Sequence, residues 1–272
     1  MDPSGIKRHA GVIAAVALLL LLAGCDRNTL QGVSFSQSAA VISAYDFVEV
    51  AVGTRGQTVR NPFLDAKLTG TFQTSDGKHS WDVGGFCDST TGDRFAIRFM
   101  PPAAGDYRYR VEYRQGGESA IYSGTFRVKD DHKRGVLRTD QQYPWHFVWE
   151  GTGEHYFFNG TTAYWLLGWS DERVAYSIID RLQRLKVNRI RITIAGRTNE
   201  FYGEPVIVGK NWTVFLTPWP ARSPQDVYQP GFDYTRFDVG FWQRVDRVVR
   251  YAREKDVIVS LVLEWTIASL IQ

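Results

Sequence analysis

The 272-residue chain predicts two domains of different class, an all-β sandwich followed by an alternating β/α unit. Three observations carry that prediction. Residues 39–130 hold short alternating or β-branched runs separated by Gly- and Asp-bearing turns. After residue 156 the hydrophobic period changes from two to helical, with apolar runs between the helices. Between the two patterns lies a charged stretch, Lys129-Asp130-Asp131-His132-Lys133-Arg134-Gly135, which reads as a boundary.

Composition narrows the function classes. Hydrophobic residues make up 44% and charged residues 22%, which excludes a disordered chain and a polytopic membrane protein. Lys+Arg 32 against Asp+Glu 29 leaves a net charge of +3 with no basic tract, so nucleic acid is not an expected partner. Aromatic content is high at 14%. Eight of the nine Trp (Trp145, Trp149, Trp165, Trp169, Trp212, Trp219, Trp242 and Trp265) fall in the second half, a skew that asks for an explanation.

Residues 1–24 read as a signal sequence, with Lys7, Arg8 and His9 before an apolar run from Gly11 to Leu22. The run is too short for a typical spanning helix. Leu22-Ala23-Gly24-Cys25 resembles the lipobox of bacterial lipoproteins, which implies diacylation of Cys25 and anchoring by two acyl chains. Asp26 resembles the inner-membrane retention signal of such lipoproteins, implying an extracytoplasmic protein on the periplasmic face. Residues 25–38 are expected to be a tether, with Asn28 to Gln37 its polar part. Once Cys25 is lipidated, Cys87 has no disulfide partner and reads as a buried or idle thiol.

Strands are predicted near Val41–Val52, Leu64–Thr74, His79–Val83, Arg94–Met100, Tyr107–Arg114 and Ala120–Val128. Phe95, Ile97 and Phe99 alternate with Arg94 and Arg98, so that strand buries one face. Ser75-Asp76-Gly77 and Ala104-Gly105-Asp106 supply the turns. Such a strand set fits an immunoglobulin-like sandwich. Asn61-Pro62-Phe63, Asp76-Gly77-Lys78, and Arg98-Phe99-Met100-Pro101-Pro102 followed by Gly105-Asp106-Tyr107-Arg108-Tyr109 resemble the sandwich domain of unknown function that precedes bacterial glycosidase-like barrels. The resemblance implies an accessory role, either spacing or glycan contact.

In residues 131–272, Val136–Arg138 and His146–Trp149 read as a hairpin and Tyr156–Asn159 as the first strand of the β/α unit. Ser170 is expected to cap a helix striped by Val174, Ile178, Leu182 and Leu185. Asn188–Ala195 is a strand with Ile190, Ile192 and Ile194 on one side. Asp238 opens a second helix, about Val239 to Glu254, striped by Phe241, Val245, Val248 and Ala252. Val257–Leu263 is nearly all apolar, as a strand buried on both faces would be. This order of elements predicts a parallel sheet, the opening of a (β/α)8 TIM barrel.

Leu185-Lys186-Val187-Asn188-Arg189-Ile190-Arg191 resembles the second-strand entry of clan A glycoside hydrolases. Phe232-Asp233-Tyr234-Thr235-Arg236-Phe237-Asp238 with Phe241-Trp242 and Val245-Asp246-Arg247 resembles the apiosidase-like barrels more narrowly. Gly160-Thr161-Thr162-Ala163-Tyr164 departs from the Gly-Asp-Thr-Ala-Trp frequent in that family, and the lost Asp implies a different substrate or a weaker site. The resemblance implies hydrolysis by two carboxylates, which clan A enzymes take from strands four and seven. The chain stops shortly after the third predicted strand, so a truncated barrel is expected.

Barrel sites lie at the C-terminal ends of the strands. Glu264 and Arg191 are therefore the catalytic candidates, Arg191 as electrostatic neighbour of the active carboxylates and Glu264 as acid or as a positioning or structural group. Tyr164, Trp165, Trp169, Arg197, Trp212, Trp219 and Trp265 are the substrate-binding candidates, because sugar faces stack on aromatic rings. Core packing is the competing role for these aromatics. His9, His79, His132, His146 and His155 show no ligand spacing, so no metal is expected. Neither a Walker loop nor a dinucleotide fingerprint is present, so no cofactor is expected. The expected function is a membrane-tethered, extracytoplasmic glycoside hydrolase-like protein acting on a polysaccharide. A non-catalytic glycan- or matrix-binding lipoprotein and an inactive gene fragment are the alternatives.

Overall fold

The computed structural model describes residues 30–55, 59–194, 218–223 and 231–263. Its first half is built from strands β1 (Val33–Gln37), β2 (Val41–Ser43), β3 (Val48–Thr54), β4 (Ala66–Thr74), β5 (Ser80–Gly84), β6 (Phe86–Cys87), β7 (Arg94–Phe99), β8 (Gly105–Gln115) and β9 (Glu118–Lys129). They form two sheets, ordered β1-β3-β7-β6 and β2-β9-β8-β4-β5. Alternation decides which side chains face inward. Val48, Val50, Val52, Phe95, Ile97 and Phe99 from the first sheet meet Leu68, Phe72, Tyr107, Tyr109, Val111 and Tyr113 from the second in one core. Phe72 stacks on Phe99 and Tyr109 at 4.6 and 5.3 Å between ring centroids.

Two sequence expectations change here. Val33–Gln37 is an edge strand paired antiparallel with β3, so these residues are not part of a tether. Val33 and Phe35 pack against the core, and Ser34 and Ser36 face outward. The run Val41–Val52 is two strands in different sheets, broken where Tyr45 takes a positive φ of 63°. The chain also changes sheets between β5 and β6, at Gly85. A Cβ there would stand 2.6 Å from the Leu68 side chain, so the crossing requires glycine.

The second half begins with β10 (Leu137–Thr139), β11 (Phe147–Trp149) and β12 (His155–Tyr156), an antiparallel sheet that contains the predicted hairpin. Then follow β13 (Gly160–Thr162), helix α1 (Glu172–Arg184), β14 (Arg189–Thr193), helix α2 (Val239–Glu254) and β15 (Ile258–Val262). β13, β14 and β15 pair in parallel, in that order. The first parallel strand is thus Gly160–Thr162 and not Tyr156–Asn159. The Asn188 carboxamide holds that turn, accepting from Tyr156 Oη and Asn159 N and donating to Phe157 O.

Asp171, not Ser170, caps α1, its carboxylate accepting from Arg173 N at 2.9 Å. The buried stripe is Ala175 and Ile179, one residue round from the predicted stripe, and Leu185 lies past the helix end at 63% exposure. α2 matches its prediction throughout: Asp238 accepts from Phe241 N at 3.0 Å, and Phe241, Val245, Val248 and Ala252 are buried. They close a second core with Ile190, Ile192 and Ile194. The two helices are bound rung by rung: Arg247 to Glu172, Tyr251 stacked on Tyr176 at 4.4 Å, and Lys255 to Asp180 at 3.2 Å. β15 is only partly buried, because β14 is its one partner among the described residues and Leu261 keeps an exposed side chain.

α2 also lies along the first half. Arg98 on β7, Asp88 and Asp46 reach its Asp246, Gln243 and Arg253 respectively. Asn61 Nδ2 donates to Thr235 O at 3.0 Å ahead of the helix.

Candidate functional site at the ends of the parallel strands

The parallel sheet has one covered face. Ile190 and Ile192 point to α1 and α2, so Arg189 and Arg191 project to the opposite face. In register, Thr162, Arg191 and Ser260 stand side by side across the three strands. Arg189 Nε donates to Ser260 Oγ at 2.7 Å, and its guanidinium lies 4.8 Å from the centroid of the Phe158 ring. Arg191 remains exposed. The sheet therefore presents two arginines on the face away from its helices.

Beyond β13 the ladder continues: Ala163 N donates to Arg191 O and Thr193 N to Tyr164 O, both at 2.9 Å. Tyr164 is thereby held beside Thr193 at the C-terminal edge. Trp165 and Trp169 bracket a 3₁₀ turn, Leu166–Gly168, whose two leucines are buried against the helices. A second aromatic group, Trp219 with Phe232 at 6.0 Å and Tyr234 at 5.1 Å, leads into the N-terminus of α2. Asp233 N bonds Pro220 O and Asp238 N bonds Pro218 O, fixing this strip against the residues that cap the helix.

The N-terminus of α1 carries several shifted charges. Hydrogen bonds from Arg173, its side chain before its backbone N–H, hold the Asp171 carboxyl down at about 2. The Arg247 guanidinium holds the Glu172 carboxyl below its usual range. Arg244, 8% exposed and close to Glu172, has its guanidinium pushed down by burial, with Glu172 acting against that. Among the described residues, no group of three or more His, Cys, Asp or Glu side chains is placed to hold a metal ion.

Of the candidates read from sequence, Arg191 lies on β14 in register with Thr162, Tyr164 follows β13 beside Thr193, and Trp165 opens the 3₁₀ turn. Trp169 closes the adjoining turn, and Trp219 belongs to the strip before α2. Cys25, Arg197, Trp212, Glu264 and Trp265 lie outside the described residues. Sequence reading missed Arg189 and Ser260. The signal was there in the strict alternation Arg189-Ile190-Arg191-Ile192, which places both arginines on one face.

Residues 41–114 match the model of a family described only as a domain of unknown function, DUF5060. A candidate glycoside hydrolase of Bacteroides vulgatus ATCC 8482 superposes with a TM-score of 0.65 at 22% identity, over 83% of this chain and 41% of its own. The chain thus shares the fold of the matched part of that protein and spans well under half its length. CopC from Methylosinus trichosporium OB3b matches at a TM-score of 0.28 and 13% identity, over 37% of this chain and 98% of its own. Parabacteroides merdae β-glucuronidase matches at 0.25 and 14%, over 59% and 21%. TM-scores that low assign no fold. No curated protein matches the chain.

Proposed function

We propose that the protein is a membrane-tethered, extracytoplasmic glycoside hydrolase of apiosidase-like type, cleaving a polysaccharide side chain. In this reading the β/α unit opens a (β/α)8 barrel, and the two sheets before it are an immunoglobulin-like accessory sandwich. One observation supports it above the others: a parallel β13-β14-β15 sheet with helices on one face and arginines on the other, in a fold shared with a candidate glycoside hydrolase.

Glycoside hydrolysis uses two carboxyl groups, spaced about 5–9.5 Å apart according to whether configuration is retained or inverted. Arg191 supplies positive charge beside them and keeps the nucleophile or base ionised. Glu264, two residues beyond β15 in sequence, serves in this reading as acid or as a positioning or structural group. Tyr164, Trp165, Trp169, Arg197, Trp212, Trp219 and Trp265 receive the sugar rings and their hydroxyls. Diacylation of Cys25 tethers the protein, and Asp26 keeps it at the periplasmic face of the inner membrane.

The test is release of sugar from a broad polysaccharide panel by the full gene product. Release of one monosaccharide is expected, and its loss in Glu264→Gln would mark Glu264 as the acid. Absence of any product across the panel ends the proposal. Incorporation of labelled palmitate into the wild type but not into Cys25→Ser tests the tether.

A further inference from the structure

A cavity of about 560 Å³ lies between the edge of the two sheets and α2, on the side of that helix away from the parallel strands. Phe241, Val245 and Val248 face the β/α core, whereas Trp242, Gln243 and Asp246 line the cavity. The opposite wall includes Phe86 and Cys87, set there by the sheet change at Gly85, and Phe63 is also part of the lining.

We propose that this cavity binds a short, uncharged saccharide of one or two rings, at a site separate from the catalytic edge. Its volume falls within the roughly 300–1,000 Å³ of small-ligand sites, which favour domain junctions. Phe63, Phe237 and Trp242 form a continuous aromatic wall, with edge contacts at 5.7 and 6.0 Å, and Phe86 stands among the exposed rings. Such a wall suits the C–H face of a pyranose, leaving hydroxyls for polar groups at the rim.

Charge selects an uncharged ligand. Arg98 is already held by Glu49 at 2.7 Å and Asp246 at 2.6 Å. Asp88 is held by Arg94 at 3.3 Å and by the Gln243 amide at 3.0 Å. An ionic ligand would have to break one of these pairs or rely on the solvent-exposed Lys67, whereas hydroxyl groups bridge the pairs without doing so. A ligand touching both walls also stabilises the docking of α2 on the sheets, by mass action.

Cys87 gives the readout. Its thiol lies on the cavity wall, half-buried and donating to Ser89 O at 3.1 Å. Alkylation of Cys87 by iodoacetamide in the full chain is followed by peptide mass spectrometry, which separates it from Cys25. Cellobiose, xylobiose, maltose and lactose are the probes. At least one should slow the reaction about fivefold near saturation and raise the melting temperature. The slowing should be lost in Phe86→Ala and in Gln243→Ala, the second of which alters an exposed helix position, and kept in Arg191→Ala. The proposal fails if none of the four protects Cys87, if protection survives both wall variants, or if benzyl alcohol alone protects. Protection abolished by Arg191→Ala would move binding to the proposed catalytic edge, and a panel-negative enzyme that still shows protection would separate the two proposals.

Discussion

Arg98 on β7 donates through Nη1 to the Asp246 carboxylate on α2 at 2.6 Å, 148 residues on, while its Nε holds Glu49 on β3 at 2.7 Å. Phe47 and Phe86 flank the guanidinium at 5.2 and 5.0 Å. The two partners differ in burial. Asp246 keeps 46% of its side chain exposed, Glu49 only 19%. Asp246→Asn should therefore cost less than about 1 kcal/mol, the range of exposed pairs. Arg98→Ala strands the more buried Glu49 and should cost about 2 kcal/mol. Equal losses in chemical denaturation would refute this division.

Phe72 is fully buried between Phe99 and Tyr109. Phe72→Ala should destabilise the sheet pair by about 3–5 kcal/mol through the cavity left behind. A loss below about 1 kcal/mol would mean that the two sheets collapse onto the gap.

Asp238 caps α2, the helix shared by both halves. Asp238→Ala should cost about 1 kcal/mol and Asp238→Ser much less, since serine also accepts from the helix N–H groups. Hydrogen exchange at Val239 to Trp242 reports the fraying directly. Identical exchange in the two variants would remove the cap from the account.

Acid should weaken the α1–α2 pairing and the cap of α1. Arg247 holds Glu172 below its usual range, Arg173 holds Asp171 at about 2, and hydrogen bonds from Tyr251 and Lys255 lower Asp180. A depressed carboxyl contributes stability that is present above its unfolded pKa, near 4, and lost as pH falls through the folded value. Stability should thus fall between about pH 4 and pH 2. Arg247→Gln should make that fall shallower. A denaturation midpoint indifferent to pH in this window would contradict the assignment.

Arg191 is exposed on the face away from the helices, so Arg191→Ala should leave the melting temperature within a degree or so. On the proposed function it should reduce sugar release about a hundredfold or more, because charge beside the carboxylates is lost. Unchanged turnover would remove Arg191 from the site.

Much of the architecture was legible in residue order alone. Alternation in Arg94–Phe99 and Gly105–Gln115 marks strands with one buried face, and the spacing of Phe241, Val245, Val248 and Ala252 marks α2 and its cap. These signals are local, since side-chain periodicity follows backbone geometry whatever the partner. Which sheet a strand joins was not legible. β2 and β3 are close in sequence yet belong to different sheets, and β5 and β6 part at Gly85, because sheet membership depends on pairing with distant residues. The stripe of α1 shifted for a related reason: several apolar rotations were open, and packing into the core that also holds Ile190 and Val248 chose Ala175 and Ile179. Sequence likewise placed Arg191 on a strand beside Ile190 and Ile192. Only the tertiary structure decided that Arg189 is held by Ser260 across the sheet, and that one helix serves both a β/α core and an aromatic cavity. Both results require segments far apart in the chain to meet, and no local pattern encodes that meeting.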